Sequence, residues 1–209
     1  MQNLQIPFHL EQSPESIEQW QLADADIQLF PHFLSTTEAD LYFDDLKKNM
    51  PWQQDSLNFG GKSVLIPRLQ VWVGDKQSRY TYSGLSLSPL PWTPVLEKLR
   101  KLVEKASNSE FNSVLLNYYR DGSDSVAWHS DDEKELGSEP TIASLSLGVS
   151  RCFQLKHKTK KYLKSSCELG NGSLLVMGKG VQQHWQHQVP KQAEVDTGRI
   201  NLTFRRILL

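Results

Sequence analysis

The chain has 209 residues, of which 38% are hydrophobic and 10% aromatic, so it can bury one substantial core. No apolar run approaches the roughly 20 residues of a membrane span, and the start, Met1-Gln-Asn-Leu4, lacks the layout of a secretory signal. Two cysteines, Cys152 and Cys167, exclude a disulfide framework and a cysteine-rich zinc module. We expect a cytoplasmic protein, or a nuclear one in a eukaryote.

Charge is divided unevenly along the chain. Residues 1–50 carry nine acidic and two basic residues, whereas residues 51–209 carry 15 acidic and 21 basic ones. These balances of −7 and +6 give the formal net charge of −1. An acidic N-terminal part followed by a basic remainder is typical of proteins that contact a polyanion, although an uneven but ordinary surface charge gives the same count.

The first predicted elements are an irregular arm over residues 1–30 and then a helix. Ser35-Thr-Thr-Glu38 has the spacing of a capping box, and apolar residues follow at helical intervals as far as Pro51-Trp52. A second helix is predicted from Thr93 to Ala106, because Pro94 suits a first helical turn. Its apolar stripe consists of Val95, Leu99, Leu102, Val103 and Ala106.

Most of the remaining chain is predicted to form short strands. The candidates are Val64–Val73, Asn112–Tyr119, Ile142–Val149, Cys152–Lys156, Ser173–Met177, His184–Val189 and Arg199–Ile207. Two early helices followed by many strands favour an α+β fold whose strands form a sandwich or barrel, of which the jelly roll is one type. No repeat or linker divides the chain, so we expect a single domain over residues 1–209.

Two predicted strands carry polar residues in alternation. In Arg199-Ile-Asn-Leu-Thr-Phe-Arg205, both arginines and Asn201 share one face, and the other face is apolar. Asn117 and Tyr119 likewise share a face of their strand. The arginine strand either lies at an edge with its polar face in water or turns that face inward. Two inward arginines need an anion, since a buried unpaired charge is very costly, and a small dicarboxylate would satisfy both.

A histidine and an aspartate two residues apart, His129-Ser-Asp131, form a candidate metal site. Both side chains leave the same face of a strand, and Gln183-His184-Trp-Gln-His187 offers a third ligand from either histidine. Two histidines and one carboxylate suit non-haem Fe(II), whereas catalytic zinc also keeps three protein ligands and one open position. The paired arginines favour iron, because an oxygenase that consumes 2-oxoglutarate needs a bound dicarboxylate.

Taken in order, these pieces resemble the AlkB family of Fe(II)/2-oxoglutarate dioxygenases, which repair alkylated nucleic acid. The matching pieces are Asn117-Tyr-Tyr119, His129-Ser-Asp131, Ile142–Gly148, His187 and Arg199–Arg205. Upstream, Pro67-Arg68 and Tyr80–Trp92 resemble the nucleotide-recognition region of the branch typified by the mammalian double-strand DNA repair members. The similarity covers residues 55–207.

The resemblance implies a fold and a set of ligands. The fold is a double-stranded β-helix, or jelly roll, formed by residues 111–209, which follows an N-terminal arm and helix (1–50) and a nucleotide-recognition region with a support helix (51–110). Fe(II) would be bound by His129, Asp131 and His187. His184 is the rival third ligand. If it does not bind the metal, it is a surface histidine or a histidine next to the metal ligands. The residues implied to bind 2-oxoglutarate are Asn117, Tyr119, Arg199, Asn201 and Arg205.

The implied reaction is oxidative dealkylation of DNA bases such as 1-methyladenine and 3-methylcytosine. It consumes O₂ and 2-oxoglutarate and releases formaldehyde, succinate and CO₂. A base methylated on its pairing edge is cationic and already unpaired, so it is easier to extrude from the duplex. The residues that resemble the substrate contacts are Phe59, Arg68, Tyr80, Tyr82, Ser83 and Glu133. Phe59 is either a finger that fills the gap left by a flipped base or a core residue, and His129 would stack opposite Tyr82.

Two further segments concern the partner. Arg151 to Lys164 contains six basic residues and no acidic one, and is either a phosphate contact or a plain exposed loop. After His187 the related branch carries a basic triplet that grips the complementary strand, whereas this chain has Lys191-Gln-Ala-Glu194. A weak grip on duplex would extend the substrates to single strands or RNA. The alternatives are an RNA, protein or small-molecule oxygenase and a non-catalytic nucleic-acid-binding module; we expect a monomer that does not contact membranes.

Overall fold

The computed structural model describes residues 17–208 apart from 60, 79, 83, 84 and 88, and it leaves out the side chains of residues 58, 59, 80–82 and 85–87. The helices are α1 (Thr36–Asn49), α2 (Pro94–Ser107) and the short α3 (Val181–His184), with a 3₁₀ turn at Lys134–Leu136. The strands are β1 (Glu18–Leu22), β2 (Ala25–Phe30), β3 (Ser56–Phe59), β4 (Lys62–Leu65), β5 (Leu69–Gly74), β6 (Tyr80–Tyr82), β7 (Leu85–Leu87), β8 (Ser113–Tyr119), β9 (Val126–His129), β10 (Ile142–Gly148), β11 (Arg151–His157), β12 (Lys164–Leu169), β13 (Leu174–Met177), β14 (Trp185–Val189) and β15 (Arg199–Arg205).

Two antiparallel sheets form the body of the protein. The major sheet has the strand order β1-β2-β13-β10-β15-β8-β5, and the minor sheet has the order β12-β11-β14-β9. Side chains from both sheets share one apolar cluster, in which Ile142 and Leu175 of the major sheet accompany Phe153 and Leu155 of the minor sheet. This arrangement is the jelly roll that the sequence predicts.

A second apolar layer lies between the major sheet and the two long helices. Ile200, Leu202 and Phe204 of β15 are fully buried there, in the cluster that contains Leu46 of α1 and Leu99 of α2. The major sheet is therefore covered on both faces, by helices on one side and by the minor sheet on the other.

Strand β15 lies in the middle of the major sheet, between β10 and β8. Arg199 is paired with Tyr119, and Asn201 with Asn117, along the ladder to β8. Every residue from Arg199 to Phe204 is buried. The edge-strand interpretation is therefore wrong, and the polar face of β15 points into the protein.

Both long helices form as predicted. The Ser35 side chain accepts a hydrogen bond from the backbone N–H of Glu38, whose carboxylate accepts one from the backbone N–H of Ser35, which completes the capping box. Thr93 caps α2. The buried face of α2 includes Leu96 as well as the predicted Leu99. None of the helices described is long and apolar enough to cross a membrane.

The predicted element order is wrong in several places, among them the start of the predicted strand His184–Val189, because His184 ends α3. Residues 17–30 are not an irregular arm, because β1 and β2 form a hairpin whose Ile27 and Leu29 are buried; residues 1–16 lie outside the described chain. The predicted strand Val64–Val73 is broken at Pro67, and its two halves, β4 and β5, belong to different sheets. Strand β12 starts at Lys164, the last residue of the basic segment; it pairs with β11 and is not among the predicted strands.

Candidate active site

Three side chains converge between the two sheets. His129 of β9 and His187 of β14 are direct partners across the minor sheet, with ring centroids 4.2 Å apart. Asp131 follows two residues after His129, and one ligand atom from each of the three residues lies within 4.8 Å of the others. The structure thus brings together the three predicted metal ligands, although 56 positions separate Asp131 from His187 in the sequence.

The environment keeps these ligands ready to bind a cation. His187 is buried, and burial first, with the nearby His129 second, lowers its pKa to about 3, so its imidazole is neutral at pH 7. Burial alone would raise the pKa of Asp131, but Arg205, His187 and His129 hold it below its usual value. The Nδ1 atom of His129 lies 2.8 Å from the carbonyl oxygen of Ala127, which can only accept, so Nε2 carries the free lone pair.

The donor set fits a divalent transition metal. Two imidazole nitrogens and one carboxylate suit Fe(II), and His187 Nδ1 is buried without a hydrogen-bond partner in the structure. His184 is the rival ligand, but its ring stacks on His157 at a centroid distance of 6.0 Å, and it is not part of the cluster. His184 ends α3 whereas His187 lies within β14, so the two histidines face different surroundings.

Within the described part of the chain, Arg199 is a buried cation without a carboxylate partner. It is 1% exposed, its Nη2 donates to Ser146 Oγ at 2.9 Å, and its Nε and Nη1 are buried without a hydrogen-bond partner among the described residues. The ring of Tyr119 lies 5.3 Å from the guanidinium carbon. Because a guanidinium keeps its charge, these free donors call for an anion, and a ligand carboxylate meets that need.

Arg205 differs from Arg199. Its Nη2 donates to Asp131 Oδ1 at 2.6 Å, so it already has an anion within the chain. The expectation that both arginines depend on a ligand for their counter-charge is therefore wrong for Arg205. Within the part of the chain that the structure describes, its Nε is buried without a hydrogen-bond partner.

The two asparagines of the predicted 2-oxoglutarate set are held by neighbouring side chains. Asn117 Oδ1 accepts a hydrogen bond from Arg68 Nε at 2.9 Å. Asn201 Nδ2 donates to Ser144 Oγ at 2.7 Å. Ser144 and Ser146 of β10 were not among the predicted site residues, although their alternation with Ala143, Leu145 and Leu147 is a signal that points to them.

The basic segment from Arg151 to Lys164 is not one exposed loop. Arg151 is 1% exposed, lies 5.6 Å from the Tyr119 ring, and donates hydrogen bonds to the carbonyls of Asp121, Asp124 and Pro190. It anchors two loops rather than facing solvent.

The lysines of this segment are more exposed than Arg151. Lys156 lies over the Trp128 ring, Lys158 pairs with Asp132 and Lys160 pairs with Asp24. Lys156, Lys158, Lys161 and Lys164 also line a cavity of about 300 Å³.

Some of the predicted substrate residues lie within the described structure and others lie outside it. Arg68 is partly buried, and besides Asn117 it contacts the carbonyl of Ser125, so its guanidinium reaches the 2-oxoglutarate set. Glu133 precedes the 3₁₀ turn, and its Oε2 is buried without a partner. The side chains of Phe59, Tyr80 and Tyr82 lie outside the described structure. Ser83 lies outside it altogether.

Comparison with known proteins agrees with this geometry. The profile of the 2OG-Fe(II) oxygenase superfamily matches residues 26–205. Mouse alpha-ketoglutarate-dependent dioxygenase alkB homolog 3 is 41% identical over 188 residues, which cover 86% of this chain and 65% of the mouse protein. Human DNA oxidative demethylase ALKBH2 is 41% identical over 182 residues, which cover 82% of this chain and 70% of the human protein.

A solved structure supports the fold. The structure of OsALKBH1 matches with a TM-score of 0.64 at 20% identity, over 90% of this chain and 100% of that chain. The present chain spans slightly less than two thirds of the mouse relative. The chain belongs to the 2OG-Fe(II) oxygenase superfamily and, within it, to the AlkB family, and this membership implies Fe(II), 2-oxoglutarate and O₂.

Proposed function

We propose that the protein is a DNA repair dioxygenase that removes N-alkyl groups from bases such as 1-methyladenine and 3-methylcytosine. The observation that carries the proposal is the convergence of His129, Asp131 and His187 in a protein whose described residues also include the buried Arg199, with two donor atoms that lack a hydrogen-bond partner there. Relatives named as DNA oxidative demethylases support nucleic acid as the substrate.

The residues of the chain prepare the site for this reaction. When bound, iron and 2-oxoglutarate supply the oxidant that hydroxylates the carbon attached to the base nitrogen, with formaldehyde, succinate and CO₂ as products. His129, Asp131 and His187 hold the metal, and the low pKa values of His187 and Asp131 mean that neither needs to lose a proton at pH 7. Arg199, fixed by Ser146, opposes a carboxylate of the cosubstrate.

Release of the aldehyde does not require a protein nucleophile. The hydroxylated alkyl carbon carries both oxygen and nitrogen, so the carbon–nitrogen bond breaks to give the aldehyde and the unmodified base. Selection of the lesion then depends on charge and shape. The Glu133 carboxylate, with one buried oxygen that lacks a partner, supports attraction of a cationic methylated base.

Contact with the nucleic acid backbone is proposed for the lysines around the 300 Å³ cavity. Lys161 and Lys164 are exposed on this surface, and neutralisation of phosphates there would make binding sensitive to salt. Phe59 ends β3 in the β3–β4 hairpin, where Val64 and Leu65 are exposed, which supports a finger that enters the duplex. Phe59→Ala should therefore reduce repair of duplex DNA more than repair of single strands, and equal losses would assign Phe59 to the core.

The proposal is tested by formaldehyde release. The protein is incubated with Fe(II), 2-oxoglutarate and an oligonucleotide that bears 1-methyladenine, as a single strand and as a duplex. We expect release by the wild-type protein, loss of release in His129→Ala and a steep fall in Arg205→Ala. His184→Ala is the matched control, because this histidine lies outside the cluster, and it should remain active. Full turnover by His129→Ala would contradict the metal assignment.

An RNA demethylase of the same chemistry is the second candidate. The segment Lys191-Gln-Ala-Glu194 retains one lysine where the related double-strand branch carries a basic triplet, and Gln192 is occupied with Arg151 and with the backbone of Cys152. The same assay with methylated RNA distinguishes the candidates by which polymer is turned over faster. A cytoplasmic location, or a nuclear one in a eukaryote, and a monomeric state remain part of this proposal.

A further inference from the structure

Asp131 is the one proposed metal ligand of the three that lies outside a β-strand. Strand β9 ends at His129, two residues earlier. Its ladder with β14 pairs His187 with His129 and Val189 with Val126, and the register shifts between these two pairs. The backbone at Asp131 thus lies beyond an irregular ladder. Arg205 contacts the Asp131 carboxylate itself, so other contacts must fix the backbone from which this carboxylate extends.

The Gln182 side chain supplies one of these contacts. Its Oε1 accepts a hydrogen bond from the backbone N–H of Asp131 at 2.8 Å. Gln182 is 2% exposed, and its Nε2 lies 3.7 Å from Met177 Sδ, so the amide is enclosed by protein. A buried amide oxygen therefore satisfies the backbone group that a neighbouring strand would satisfy in a regular sheet.

Two more contacts join the same two segments. Ser130 Oγ donates to the carbonyl of Trp185 at 2.8 Å. Lys158 Nζ donates to the carbonyl of Gln182 at 2.8 Å and pairs with Asp132 at 3.0 Å. The segment that follows His129 and contains Asp131 is thus hydrogen-bonded to the segment that leads directly into His187. These hydrogen bonds link the two parts of the chain that contain the three metal ligands.

We propose that Gln182 is a positioning residue that sets the carboxylate of Asp131 for metal binding, with Ser130 as a weaker second support. The proposal rests on the metal site of the proposed function. Removal of the amide oxygen leaves a buried N–H without a partner and frees the backbone of the ligand. Partners that orient metal ligands typically change metal affinity by about 10–100-fold when they are lost.

Binding of Co(II) tests this role without turnover. The metal-free protein is titrated with Co(II) in the absence of 2-oxoglutarate and nucleic acid, and the dissociation constant and the visible ligand-field spectrum are recorded. Gln182→Met keeps the length of the side chain and removes the acceptor. We expect affinity to fall about tenfold or more, with a shifted spectrum, and Ser130→Ala to lower affinity by about fivefold.

Asn171→Leu is the matched control. The Asn171 amide also accepts a backbone N–H, that of Gly148, at 2.9 Å, and it contacts Asp40 of α1 rather than the metal cluster. This variant should lower the melting temperature of the protein and leave Co(II) affinity and spectrum unchanged.

The outcomes separate this inference from the proposed function. If the wild-type protein does not bind Co(II) at the three ligands, the metal site itself is wrong. If folded Gln182→Met binds Co(II) with wild-type affinity and spectrum, the positioning role is wrong while the site stands. If circular dichroism shows that Gln182→Met is unfolded, Ser130→Ala decides, and unchanged affinity and spectrum in that variant overturn the proposal.

Discussion

The two faces of β15 are both buried from Arg199 to Phe204 and are chemically opposite. Towards the helices, Ile200, Leu202 and Phe204 are fully enclosed by apolar side chains. Towards the minor sheet, Arg199 keeps two buried donor atoms without partners. The first face is packed by the protein's own apolar side chains, and the second offers hydrogen-bond donors that suit an anionic ligand. Unsatisfied polar atoms, rather than burial, therefore distinguish the site from the core.

The apolar face should give the largest change in stability. Leu202→Ala removes a fully buried side chain between the sheet and the helices, so we expect the free energy of unfolding to fall by about 2–5 kcal/mol. Denaturant titration measures this loss. Affinity for 2-oxoglutarate in the presence of Mn(II), measured by calorimetry on the folded variant, should change little; a selective loss of 2-oxoglutarate binding with normal stability would erase the difference between the faces.

Substitution of Arg205 should also lower the stability of the protein, because Arg205 has a carboxylate partner inside it. Arg205→Met leaves the buried Asp131 without that partner, and we expect the cofactor-free protein to lose about 3 kcal/mol of stability. Thermal unfolding of the metal-free protein measures the effect. A melting temperature equal to that of the wild type would show that the ion pair is absent in solution.

Substitution of Arg199 should lower the affinity for 2-oxoglutarate without lowering the stability of the protein. Arg199→Met removes a buried charge that has no acidic partner, so the cofactor-free protein should be as stable as the wild type or more stable. Affinity for 2-oxoglutarate should fall about 100-fold, which is the effect of losing charge-assisted hydrogen bonds worth about 1.5–3 kcal/mol each. Arg206→Met, which alters an exposed arginine paired with Glu110, is the control and should leave affinity unchanged. Normal 2-oxoglutarate binding by Arg199→Met would remove Arg199 from the site.

The smallest effect is expected at the start of α1, which covers the apolar face from outside. Ser35→Ala removes one half of the capping box, and we expect a loss of about 1 kcal/mol in the free energy of unfolding. Chemical denaturation detects this change, and formaldehyde release should be normal. A loss of activity without a loss of stability would mean that α1 acts on the polar face as well.

Local patterns made part of this structure predictable from sequence. The capping box at Ser35 and the alternation in β15 depend on near neighbours, and both predict the observed conformation. The β1–β2 hairpin also had a signal, since Ile27 and Leu29 alternate with Asp26 and Gln28 along β2. The burial of Arg151 had a signal, since alternation along β11 places it on the same face as Phe153 and Leu155.

Contacts between distant segments were beyond prediction. Arg205 and Asp131 are 74 positions apart, and the sequence around either residue does not indicate that they pair. The hydrogen bond from Asp131 to Gln182 spans 51 positions and depends on how α3 packs. Such contacts follow from the completed fold, whereas alternation and capping follow from short stretches of chain.

In the proposed function, the polar space between the sheets binds one metal ion and one dicarboxylate. Anomalous diffraction from crystals grown with Mn(II) and 2-oxoglutarate tests it most directly. We predict a single manganese peak among His129, Asp131 and His187, with a carboxylate of 2-oxoglutarate on Arg199. A manganese peak elsewhere, or three side chains that point away from one another, would contradict the account.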